Sequence, residues 1–193
     1  MDLIFFSDIK AASETARKLK EKEITLAQHF NSEKELAELK QKAKRENLAI
    51  KFCHVLEKAD ALELKDFREK TDFLAVFGGN VAVNKFAASS KQIDFLLQPV
   101  GTQKLEFDSA IANTAKENGV AIAILFSDFL NASQYDRISL FRNYFLLAKI
   151  CKRAKAELVV FSGARSMQEM RASMDLDSFL VLLYQKNFDE ETG

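Results

Sequence analysis

The chain has 193 residues, with 28 Lys and Arg against 28 Asp and Glu, 48% hydrophobic and 29% charged. That balance fits one globular domain with a sizeable core and excludes a disordered chain; zero net charge argues against binding nucleic acid through bulk charge alone. No charged stretch leads into a long apolar segment, and the longest apolar runs, such as 120–126, fall far short of the roughly 20 residues that span a bilayer, so a cytoplasmic protein without a membrane partner is expected.

In chain order, residues 3–6 read as a strand, and 8–22 as a helix with Ile9, Ala12, Ala16 and Leu19 at helical spacing. Residues 24–27 form a second strand. Asn31 or Ser32 then caps a charged helix running to Arg45, with Leu36, Leu39 and Ala43 inward. Residues 49–56 are a third strand, 61–69 a short helix, and 72–77 a fourth strand ended by Gly78 and Gly79. A helix over 81–89 and a fifth strand over 93–97 follow. The helix over 108–117 is closed by Asn118 and Gly119. Residues 120–126 are a sixth strand, 137–155 the longest late helix, 158–161 a seventh strand and 176–185 a closing helix.

The strands are continuously apolar, as strands covered on both sides are, and they alternate with helices, which predicts βαβ units and a parallel sheet. Seven such units suit a closed or incomplete (β/α) barrel over 1–186, with an eighth strand sought near 170–174 and a frayed acidic tail over 187–193. The alternative is a doubly wound open sheet.

Strand ends are where such a barrel works. Those positions hold Ser7 and Asp8, Gln28 and His29, His54, Gly78 to Asn80, Gln98, Ser127 and Asp128, and Ser162, Gly163 and Arg165. The chain has two histidines, neither in a zinc-binding pattern, and a two-histidine site would need Asp8 or Asp128 to complete it. Cys53 and Cys151 stand singly in apolar runs and read as reduced core residues. Asp175 and Asp177 read as the capped first turn of the last helix. A metal-dependent phosphoesterase would need a carboxylate–histidine cluster, and an aldolase-like lyase a strand-end lysine, for which Lys51 and Lys85 are the nearest.

Charge is unevenly spread. Residues 137–171 carry eight cations against two anions, and 172–193 carry one against five. On the helix over 137–155, Leu140, Tyr144, Leu147, Ala148 and Cys151 share one side, whereas Arg142, Lys149 and Arg153 align on the other, near Lys152. Ile138, Phe145 and Leu146 fall among these cations, a mixture expected of a contact surface for RNA or protein.

The stretch 77–86 (FGGNVAVNKF), Asp94 with Leu96 before Pro99, residues 108–124, Arg142 with Asn143, and Ser162-Gly163-Ala164 followed by Arg171 and Asp175 together resemble protein component 3 of archaeal ribonuclease P, the family of the human thirty-kilodalton subunit. Asn80 departs from that pattern, where an acidic residue would be expected. The resemblance implies a TIM-barrel-like fold and a subunit of the ribonucleoprotein that removes the 5′ leader from precursor tRNA. It implies that catalysis and its magnesium belong to the RNA subunit, that this chain binds no cofactor, and that a second small protein subunit is its partner among the other protein subunits. On that expectation Lys85, Arg142, Lys149, Arg153, Arg165 and Arg171 contact phosphates, Asn84 and Ser162 hydrogen-bond to the RNA, and Phe145 and Leu146 face the partner protein.

Overall fold

A computed structural model describes residues 1–56 and 61–185; the acidic tail expected over 187–193 lies outside them. The seven expected strands are all present: β1 (Asp2–Ile4), β2 (Glu23–Gln28), β3 (Ala49–Leu56), β4 (Phe73–Phe77), β5 (Phe95–Leu97), β6 (Ala121–Leu125) and β7 (Leu158–Phe161). The helices are α1 (Ile9–Lys18), α2 (Glu33–Ala43), α3 (Ala61–Arg68), α4 (Val81–Ser89), α5 (Ser109–Asn118), α6 (Phe126–Asn131), α7 (Gln134–Ala154) and α8 (Ser173–Gln185).

Helix starts follow capping chemistry. Asp8, Ser32, Asn80, Asp108 and Ser133 each accept the backbone N–H three residues on, meeting a donor that a helix end leaves orphaned. Asn80 does this as well as an aspartate would, so its departure from the family pattern costs the fold nothing. Gly119 ends α5 at φ 74°, a left-handed turn that glycine enters without strain.

All seven strands are parallel and lie in sequential order. The sheet then returns to its start. Beyond β7 the chain stays extended, and Ala164 bridges to Ile4 in parallel. The Phe5 N–H donates to the Ala164 carbonyl at 2.7 Å, and the Gly163 N–H to the Leu3 carbonyl at 3.0 Å. This corrects two expectations. An open doubly wound sheet is excluded, and no eighth strand exists near 170–174, where Met167–Glu169 form a 3-10 turn and α8 begins at Ser173. The extension of β7 does the closing that an eighth strand would do.

Strand alternation divides the core. Leu3, Ala27, Cys53, Val55, Ala75, Phe95, Leu97, Ala121, Ala123, Leu125 and Phe161 fill the barrel interior. The opposite faces pack under the helices, β4 to β7 against α4, α5, α7 and α8, and β1 to β3 against α1 and α2. Two polar clasps join the beginning of the chain to its end. The Asp2 carboxylate accepts the Leu3 and Ser162 N–H groups at 2.8 and 2.7 Å and the Ser162 hydroxyl at 2.5 Å. Glu21 accepts both the N–H and the hydroxyl of Ser173, each at 2.7 Å, at the start of α8. Among the described residues no helix is long and apolar enough to cross a membrane.

Candidate RNA and protein interface

The barrel brings its strand-end residues to one mouth, but most are engaged in holding the fold. Asp8 caps α1. Gln98 donates to the Val100 carbonyl at 3.2 Å and to the Tyr144 hydroxyl at 2.5 Å, and accepts from the Leu125 N–H at 3.0 Å. The Ser127 hydroxyl donates to the Gly163 carbonyl at 2.8 Å. Gly163 sits at φ 60°, and a Cβ there would meet Leu125 Cβ at 2.8 Å. A Cβ on Gly78 would stand 2.6 Å from Pro99 Cα, so the turn after β4 admits no side chain.

Both histidines meet one carboxylate, a cluster that residue spacing does not reveal. His54 Nε2 lies 2.7 Å from Glu63 Oε1, and His29 Nδ1 lies 3.2 Å from the same oxygen. The His54 ring lies on the outer side of β3, stacked on Phe67 at 3.8 Å between ring centres. The three possible ligand atoms lie within 4.8 Å of one another, yet their polarity is wrong for a metal. The Phe30 N–H donates to His54 Nδ1 at 3.2 Å, so that nitrogen holds the lone pair and Nε2 carries the proton that faces Glu63. A ligating histidine needs the reverse, a bare ligand nitrogen with its other N–H donated to an acceptor. Burial lowers the His54 pKa against the opposing pull of Glu63, which keeps the ring neutral. Neither Asp8 nor Asp128 joins this cluster.

The other nucleophiles are quiet. Burial pushes the Cys151 thiol up to about 12 and the Cys53 thiol well above its ordinary range. Lys51 lies near the start of β3, away from the mouth, and pairs with Glu23 at 3.0 Å, so the lyase reading loses its strand-end amine. Lys85 is exposed on α4 rather than enclosed in a strand end.

The late helix α7 behaves as its periodicity predicts. Leu140, Tyr144, Leu147, Ala148 and Cys151 are buried, and Arg142, Lys152 and Arg153 are exposed, with Lys149 half-buried. Ile138 is 67% exposed and Leu146 37%. Phe145 departs from the expectation: it is 8% exposed and forms a wall rather than a projection. Together with Phe129 of α6, Phe141 and Leu146 it lines an apolar groove of about 900 Å³, with Arg137 and Arg142 also lining it. The Arg137 guanidinium also lies over the Phe129 ring and donates to the carbonyls of Phe129, Leu130 and Ala132, closing α6 onto α7.

Arg165 and Arg171 are held in place. Arg165 pairs with Asp128 at 2.9 Å with half of its side chain exposed, and its N–H donates to Glu169 at 2.7 Å. Arg171 donates to the Gln168 and Met170 carbonyls, both at 2.8 Å. Against a burial penalty, the Arg165 N–H, the Asn131 amide and both guanidiniums hold the Glu169 carboxyl below its ordinary pKa. The two arginines are therefore oriented by carboxylates and carbonyls, with part of their charge already balanced.

Asn84 and Ser162 are corrections. Both are fully buried. The Asn84 amide donates to the Pro99 and Glu106 carbonyls at 3.2 and 2.8 Å and accepts from the Gly79 N–H at 3.3 Å. The Ser162 hydroxyl binds Asp2 and the Ala164 N–H. Neither side chain reaches the surface, so neither touches RNA in this fold.

Sequential parallel strands that return to the first strand define a TIM-type β/α barrel. Residues 7–187 match the family described as RNase P subunit p30, and the chain belongs to that family. It is 30% identical over 151 residues to ribonuclease P protein component 3 of Methanococcus maripaludis strain C6, covering 76% of this chain and 63% of that protein. It is 31% identical over 110 residues to the component 3 of Methanosarcina acetivorans, covering 57% of this chain and 46% of that protein. The chain thus spans about three-fifths of the length of the first of these relatives. Its fold is similar to that of a chain in the cryo-EM structure of an archaeal ribonuclease P with mature tRNA, at a TM-score of 0.79 and 22% identity, covering 94% of this chain and 81% of that one.

Proposed function

We propose that this chain is a cytoplasmic protein subunit of ribonuclease P that supports RNA-catalysed removal of the 5′ leader from precursor tRNA. The observation that carries this reading is the family match over residues 7–187. The chemistry of the site agrees. The thiols are buried and protonated, His54 donates to a carboxylate, and exposed cations lie beside an apolar groove. Such a surface binds and positions; magnesium and the cleavage step then fall to the RNA subunit.

Arg142, Lys149 and Arg153 on α7, with Lys85, contact RNA phosphates. Arg165 and Arg171 act as fixed cations, since partners already set their geometry. The groove walled by Phe145 and bordered by Leu146 seats a second small protein subunit. Apolar side chains among arginines suit such an interface.

The test is cleavage of precursor tRNA by reconstituted ribonuclease P RNA at low magnesium, with and without this chain and its partner subunit. Cleavage that depends on the chain supports the reading. Unchanged cleavage in its absence removes it.

A further inference from the structure

The apolar groove on α7 is open, and its charge is one-sided. Ile138 and Leu146 are exposed along it, and among the described residues that line it two are arginines and none is acidic. Beyond Leu146 the same face of α7 carries Lys149, Lys152 and Arg153. An occupant that suits this face brings an apolar anchor and several anions.

The last helix delivers such a segment to the right end of α7. The Phe179 ring of α8 meets Phe129 and Phe141 of the groove wall at 5.7 and 6.3 Å between centres. Five residues later the Lys152 ammonium lies over the Tyr184 ring at 5.9 Å. The helix therefore leads from the groove wall toward the C-terminal end of α7, and it ends there at Gln185. The sequence continues Lys186-Asn187-Phe188-Asp189-Glu190-Glu191-Thr192-Gly193, one aromatic ring followed by three acids. Leu146 lies six residues back from Lys152, about 9 Å along the helix. Phe188 lies three residues past Gln185, a reach of about 10 Å for extended chain. The ring and the groove are therefore in register, and the acids after the ring fall one turn further on, beside Arg142.

We propose that residues 186–193 turn back along α7 and occupy this groove, with Phe188 against Phe145 and Leu146 and the three acids facing Arg142 and Arg137. The segment is a placeholder that covers the apolar face until the partner subunit displaces it. This rests on the reading of the groove as the partner's seat and adds its regulation. A segment attached this close is present at about millimolar effective concentration, so a contact with an intrinsic dissociation constant of roughly 0.1 mM fills the groove about nine-tenths of the time. The partner then binds about tenfold more weakly than it would to an empty groove.

The test is NMR of the full chain alone, with labelled isoleucine and leucine methyls. The Phe188 ring should show contacts to the Ile138 or Leu146 methyls, unchanged on tenfold dilution. Phe188→Ala should abolish them and shift those methyls, while the buried Ile24 methyl signals stay in place and show that the fold is intact. Asp189→Asn/Glu190→Gln/Glu191→Gln should move the groove methyls part of the way toward their Phe188→Ala positions. In sedimentation with the partner subunit, Phe188→Ala should bind about tenfold more tightly than wild type. No contact in the wild type, or groove methyls that Phe188→Ala leaves unmoved, would overturn the proposal. Contacts that fade on dilution would overturn it in favour of a second copy of the chain. Equal partner affinity in wild type and Phe188→Ala would overturn the placeholder role. The NMR arm uses neither RNA nor partner, so its failure beside normal precursor-tRNA cleavage removes this contact alone, whereas a chain that fails to support cleavage removes the ribonuclease P reading.

Discussion

The carboxyl of Asp2 and the hydroxyl of Ser162 meet at 2.5 Å across the seam between β1 and the end of β7, both without solvent contact. Burial raises the Asp2 carboxyl from 3.8 to about 6, against the lowering effect of its Ser162 and Leu3 hydrogen bonds. The folded state therefore holds this proton over a pH range in which the unfolded chain has released it. Stability from this group is present at low pH and is lost as pH rises toward 6, by about 3 kcal/mol at most. Asp2→Asn keeps an oxygen for the two N–H groups and offers its own N–H to Ser162. Urea denaturation at pH 4 and pH 7.5 should show the variant gaining on wild type as pH rises.

His54 has the opposite sign. Its pKa is lowered by burial, so below the ordinary histidine value of about 6.5 the unfolded state binds the extra proton and stability falls as pH falls. Glu63→Ala removes the acceptor of its Nε2–H and should cost about 1–3 kcal/mol at neutral pH. The check is a urea midpoint together with the His54 ring signals by NMR.

Asn84 stabilises a loop rather than a ligand. Asn84→Ala leaves the Pro99 and Glu106 carbonyls without that donor and should cost about 2–3 kcal/mol. The local signature is faster amide exchange at residues 101–104, with the exchange of β1 to β3 unchanged.

Arg142 and Arg153 are exposed and form no salt bridge among the described residues, so Arg142→Ala/Arg153→Ala should leave the melting temperature almost unchanged. Binding of ribonuclease P RNA should lose about two units of its logarithmic salt slope, one for each phosphate contact removed.

Ile138, 67% exposed, lines the apolar groove. Ile138→Asp should leave the fold intact and weaken association with the partner subunit about tenfold or more. Equilibrium sedimentation of the pair with each version of the chain decides it.

The barrel itself was legible because its strands are uniformly apolar and its helices announce their caps. Ser32, one of the two caps offered for the second helix, marks a start that the structure reproduces. The helix α6 was hidden because its apolar sequence continues directly from β6 and no side chain caps its start. The eighth strand was sought at 170–174 because nothing in residues 162–164 signals that a small-residue loop also pairs with β1. Lys85 and Asn84 look alike as polar neighbours on one helix, yet one turns outward and the other into the core. The histidine–glutamate cluster was illegible for another reason: its geometry comes from packing α3 over β3, and no spacing encodes that. Many residues that carried the family resemblance prove to be architecture. Asp94 ties β4 to Arg68 through the Leu74 N–H and the guanidinium, and Asn143 supports the mouth loop.

The Glu21 to Ser173 clasp joins residues 152 positions apart and closes over the seam made by Asp2 and Ser162. Until synthesis has passed Ala164, β1 lacks the neighbour on the side away from β2, and Asp2 lacks its two Ser162 donors. A nascent chain therefore carries an open sheet edge for most of its elongation. Order should arrive late and all at once, with the first units gaining protection only when the last ones do. Unfolding from either end should likewise release both ends together.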